Sequence, residues 1–69
     1  MEEMDIGGRI QEYRKAAGMS LRELAAHAEI SPSMLSQIEN NAVNPSINTL
    51  KSIAEVLQIP LYKFFKPQA

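Results

Sequence analysis

The chain has 69 residues, no cysteine and a formal net charge of −1. A chain of this length buries only about 60% of its unfolded surface, so it supports one small core; without thiols, a disulfide scaffold and a Cys-based zinc site are both excluded. No apolar run approaches the roughly 20 residues of a membrane span, and the opening MEEMDIGG lacks the basic and apolar segments of a signal peptide, so a cytoplasmic location and no membrane partner are expected. The net charge argues weakly against nucleic acid, but Glu2, Glu3 and Asp5 crowd the N-terminus while Arg9, Arg14, Lys15 and Arg22 follow. One face can be basic when the whole is not.

No period-two alternation and no hairpin dipeptide appears, whereas helical punctuation is dense. Asp5 is placed to cap a first helix carrying Ile6, Ile10 and Tyr13 on one face, stopped by Gly18 with Lys15 in its last turn. Ser20-Leu21-Arg22-Glu23 reads as a capping box, in which the serine hydroxyl and the glutamate carboxylate each accept an orphan backbone N–H. It opens a second helix, Leu21–Ala28, with Leu21, Leu24, Ala25 and Ala28 inward. Ser31-Pro32 starts a third helix, Pro32–Asn40, with a capping hydroxyl followed by proline at the first helical position. Leu35 and Ile38 supply its buried side, and Asn40-Asn41 ends it, because asparagine tolerates the left-handed conformation. Ser46 caps a fourth helix with Ile47, Leu50, Ile53, Ala54 and Leu57 inward, and IPLYKFF predicts a short fifth helix from Pro60. The expected fold is all-α and compact, with the domain over residues 1–66 and residues 67–69 as a tail or the start of a linker.

The second and third helices, joined by a tight turn, make a helix-turn-helix. Ala25 must be small where the two cross, and Leu24, Ala28, Ile30, Leu35 and Ile38 form the wedge between them. The other side of the third helix then carries Ser33, Ser36, Gln37 and Asn40 at the i, i+3, i+4, i+7 spacing of one face. None is charged, although solvated helix faces are usually built from Lys, Glu and Arg. Neutral amides and hydroxyls present donor and acceptor patterns at lower desolvation cost than charges do.

From GGRIQEYRKAAGMSLRELAAHAEISPSMLSQIENN through NPSINTLKSIAEVLQIPLYKFF, the chain resembles the Cro and phage-repressor (XRE-type) family of bacterial helix-turn-helix domains, over about residues 6–65. The resemblance implies a five-helix, lambda-repressor-like DNA-binding domain, usually dimeric on pseudo-palindromic operators, with its third helix in the major groove. It implies a transcription regulator, most often a repressor, with double-stranded DNA and a second copy of the chain as partners, the latter through the fifth-helix region. An effector domain beyond residue 69 would be a further partner. Pro32, Ser33 and Gln37 match positions from which relatives reach base edges, and Ser36 and Asn40 match flanking positions. Backbone contacts are expected from the helix start at Ser20, Leu21 and Arg22, whose free N–H groups and dipole favour phosphate. Asn40, Asn41, Asn44, Ser46 and Asn48 cluster where the family grips the adjoining strand, and Arg9, Lys15, Arg22 and Lys51 are candidate charge contacts. Arg14 and Glu39 match positions that form a partly buried ion pair in some relatives, which makes Arg14 structural.

Three residues depart from the family. Glu29 and Asn41 stand where glycine is common, and a non-glycine residue in the left-handed region costs on the order of 1 kcal/mol. Leu21 stands where several relatives carry a backbone-contacting glutamine, so that contact does not transfer. His27, the single histidine, has no ligand at metal spacing and reads as a surface residue. Gly7-Gly8 lacks the strand and third glycine of a dinucleotide site, and Gly8 reads as a close-packing position. Phe64 and Phe65 are adjacent, so one is expected to leave the core or meet a partner. No residues point to a catalytic site, metal or cofactor. The competing reading is a protein-interaction module, such as an antitoxin or anti-regulator, which an apolar fifth-helix patch and an acidic third-helix face would favour.

Overall fold

Four α-helices follow one another with brief connections: α1 (Ile6–Ala16), α2 (Leu21–Ala28), α3 (Pro32–Glu39) and α4 (Ile47–Leu57), then a 3-10 turn, Leu61–Phe64. The computed structural model describes residues 5–65; the tail-or-linker assignment of 67–69 and the acidic Glu2 and Glu3 lie outside them.

Each helix begins with the same device. A side-chain oxygen of the residue before it accepts the backbone N–H three residues on: Asp5 from Gly8, Ser20 from Glu23, Ser31 from Met34 and Ser46 from Thr49. At Ser20 the box is complete, since Glu23 Oε1 accepts the Ser20 N–H at 2.8 Å. Each such cap stabilises its helix by about 1 kcal/mol, which matters for helices as short as the eight residues of α2 and α3.

The helices also end alike. Gly18, Glu29, Asn41 and Gln58 all take positive φ, from 59° to 72°, and the following N–H reaches back five residues. Met19 donates to Arg14, Ile30 to Ala25, Ala42 to Gln37 and Ile59 to Ala54. These are Schellman closures, and only one of the four uses glycine. Gln58 carried no sequence signal for this role. The residues that follow three of these positions, Met19, Ile30 and Ile59, pack against the core, so three of the four closures also tuck in an apolar side chain, while Ala42 is exposed.

Ile10, Leu24, Ala25, Leu35, Ile38, Ile53 and Phe64 are fully or almost fully buried and meet at the centre. Tyr13 packs edge-on against Phe64, with ring centroids 6.1 Å apart. Three expectations change. The fifth helix is a single 3-10 turn: Lys63 donates to Pro60 and Phe65 to Tyr62, and so short a segment suits the tighter bonding. Phe64 is its buried anchor, Phe65 is half-buried and Tyr62 is exposed. Ile47 is 57% exposed rather than inward, because first-turn side chains lean beyond the helix start. The close approach involves Gly7 more than Gly8. A Cβ on Gly7 would fall 2.3 Å from the Ile38 carbonyl oxygen and 2.6 Å from that of Glu39, whereas one on Gly8 would meet the capping carboxylate of Asp5.

Glu29→Gly and Gln58→Gly are each expected to raise stability by up to about 1 kcal/mol by relieving the left-handed backbone, while Gly7→Ala lowers it. Thermal melts check both signs, and a clear loss for Glu29→Gly would contradict the turn geometry.

Candidate nucleic-acid interface

The orientation of α3 is set from its inner side. Arg14 Nε donates to Glu39 Oε2 at 2.7 Å and Nη2 to Oε1 at 3.0 Å, a two-pronged pair whose side chains are 11% and 3% exposed. The remaining Nη1 donates to the Met19 carbonyl at 3.0 Å, so one guanidinium joins α1, α3 and the approach to α2. The bond to Glu39 raises the Arg14 pKa further, against the opposing effect of burial. Leu35 and Ile38, buried beside Glu39, complete the inward face.

A second polar tie holds the chain just beyond the same, C-terminal end of α3. Asn41 Oδ1 accepts the Gly7 N–H at 3.1 Å, and its Nδ2 donates to Asp5 Oδ1 at 2.6 Å. Asp5 thus caps α1 and holds the end of α3 at once. Its pKa is lowered chiefly by the Asn41 hydrogen bond, then by the Gly8 N–H. Asn41, read as a backbone-contact residue, therefore has its amide largely engaged within the fold.

With Leu35, Ile38 and Glu39 inward, Pro32, Ser33, Gln37 and Asn40 are exposed and Ser36 is half-buried. The outward face carries no charge, because Glu39, the one acid of α3, is turned inside. Asn44, Ser46 and Asn48 are exposed along the connection into α4, and Lys51 is exposed one turn further on. The hydroxyls of Ser20 and Ser46 are occupied as caps. What these positions offer outward is backbone N–H, at Leu21 and Arg22 and at Ile47 and Asn48. The Glu23 carboxylate, its pKa lowered mainly by the Ser20 N–H, offsets part of the positive end of α2. Leu21 is half-buried against the core, Arg22 and Lys15 are exposed, and Arg9 is half-buried. Met34, missed by the helical stripe, is exposed on α3; its position between the outward and inward sides was the available signal. His27 is exposed, and no cluster of three or more metal-ligating side chains occurs among the described residues.

Two short helices linked by a left-handed turn, the second fixed along one side and bare along the other, define a helix-turn-helix domain. The chain belongs to the helix-turn-helix family, whose model matches residues 10–64. It is 47% identical over 58 residues to the HTH-type transcriptional regulator SinR of Bacillus subtilis, covering 83% of this chain and 52% of SinR. Among solved structures it superposes on SinR in complex with DNA with a TM-score of 0.84, at 44% identity over 88% of this chain and 98% of that one. A SinR–SinI protein complex matches with the same TM-score and identity, over 60% of that chain. The chain spans about half the length of the SinR sequence it matches.

Arg14→Ala or Glu39→Ala is expected to cost about 3–5 kcal/mol, since either leaves a buried charge unpaired. A domain of this size has roughly 3–10 kcal/mol in total, so these variants should lose a large share of it and melt far below the wild type. Arg14→Met/Glu39→Leu should recover much of the loss. Unchanged melting temperatures for both single variants would contradict the assignment.

Because folding lowers the Asp5 pKa, its contribution is fully present above the unfolded carboxylate value, about 3.9. It is lost as pH falls through the lower folded value. Asp5→Ala should therefore flatten the acid limb of a stability–pH curve below about pH 4; an unaltered limb would contradict the Asn41 tie.

Proposed function

We propose that this chain is the DNA-binding module of a transcriptional regulator, acting as a repressor, that reads base edges in the major groove with the outward face of α3. The observation that carries the reading is the two-sided character of α3. Its inner side is locked by Arg14–Glu39 and the core, and its outer side is bare, polar and uncharged. The likeness to SinR, whose solved complex contains DNA, supports it. So does the helix-turn-helix geometry, in which the second helix enters the groove with its N-terminal residues toward the bases.

In this reading Gln37 pairs with adenine, its amide oxygen accepting from N6 and its nitrogen donating to N7. Ser33 and Pro32 lie nearer the groove floor, and Ser36 and Asn40 flank them. Open N–H groups at the starts of α2 and α4, with Arg22, Lys15 and Lys51, hold phosphates and set the register. Two copies would place their α3 helices about 34 Å apart in successive grooves, paired through the 3-10 turn, where Tyr62 is 60% exposed. Repression follows from occupying promoter DNA. Recognition of a protein through α3 instead would favour an acidic face, and the acid is turned inward.

Selection from a randomised duplex pool tests the reading. The chain is expected to enrich a pseudo-palindrome, and Gln37→Ala should relax one base position per half-site by about 1–3 kcal/mol without altering the melting temperature. With few exposed cations, the slope of log K on log salt should be shallower than about −8. Equal retention of all sequences would overturn the proposal.

A further inference from the structure

We infer that Met34 is a specificity-determining residue that reads the 5-methyl group of thymine, a role that rests on the DNA reading above. Met34 is the third residue of α3, in the turn that faces base edges in helix-turn-helix docking. Its N–H is tied to Ser31 Oγ at 3.0 Å, so its backbone position is fixed by the cap. On the helical wheel it lies about 60° from outward Gln37 and about 40° from buried Ile38, at the margin where the core ends and the polar face begins. It remains 43% exposed.

Helix formation alone does not call for methionine there, since Gln, Lys and Glu propagate a helix about as well and suit water better. What the margin offers is an unbranched, polarisable apolar arm alongside the Ser33–Gln37 stripe. The floor of the major groove is almost wholly polar: N7, O6, O4 and the exocyclic amines. The thymine 5-methyl is the one prominent apolar feature of the base-pair edges. Ser33 and Gln37 can satisfy the polar edges; Met34 can satisfy only the methyl. Contact between the two removes both apolar surfaces from water. For one methyl this predicts a change of about fourfold in affinity.

The test uses the duplex selected by the wild-type chain. Each thymine is replaced in turn by uracil, which keeps its pairing edge and loses only the methyl, and dissociation constants are measured for wild type, Met34→Ala, Met34→Gln and Gln37→Ala. One thymine per half-site is expected to show about a fourfold loss on conversion to uracil, in wild type and in Gln37→Ala. Both Met34 variants should be indifferent to the same change while retaining the other sequence preferences. Absence of any uracil-sensitive position in the wild type overturns the inference, as does full sensitivity in the Met34 variants. Either result leaves the DNA reading standing. A wild-type chain that selects no sequence overturns both.

Discussion

A buried ion pair constrains the molecule more than any other contact. Arg14 and Glu39 are almost fully withdrawn from water, and each would be costly to bury alone. Their geometry lets both carboxylate oxygens accept guanidinium N–H groups, and the leftover donor finds the Met19 carbonyl. The charges are thereby satisfied, and the arrangement is selective. Turning α3 by one residue, about 100°, would pull Glu39 from its partner and rotate polar side chains toward the core. The pair therefore fixes the rotation of α3 about its own axis. An apolar core of Leu35 and Ile38, which tolerates some repacking, would define that rotation less sharply.

The C-terminal end of the helix is held by a different logic. Glycine at residue 41 would relieve left-handed backbone strain, but it has no amide to accept from Gly7 and donate to Asp5. Asparagine tolerates positive φ better than most residues and supplies both bonds. Gly7 is the counterpart of this choice. It has no side chain because the carbonyl oxygens at the end of α3 press against the start of α1. Two polar ties, Arg14–Glu39 and Asp5–Asn41, thus couple α1 to α3. The outer face of α3 is left out of both.

Local features were legible in the residue order. The four caps, the capping box at Ser20 and Glu23 and the proline opening α3 each depend on neighbours within a few positions, whereas the left-handed Glu29 is implied only by the family resemblance. The exposed Ser33, Gln37 and Asn40 follow from periodicity once Leu35 and Ile38 are inward. Contacts between distant positions were not legible this way. Arg14 and Glu39 lie 25 residues apart and were paired through family resemblance, and the Asp5–Asn41 contact spans 36. Gln58 closes α4 through tertiary fit of Ile59, with no glycine or asparagine to announce it. The final turn reads as a helix in the sequence because Leu61 and Phe64, at i and i+3, satisfy either helix type over one turn.

Amide and side-chain NMR spectra, recorded during titration with the selected duplex, test most directly whether α3 is anchored inside and reads outside. The Arg14 Nε–H should be protected from exchange and hold its position throughout, while the Gln37 side-chain amide and the Ser31–Asn40 backbone amides shift. An exposed, freely exchanging Arg14 Nε–H would contradict the account. So would shifts that avoid Gln37 and gather on the 3-10 turn.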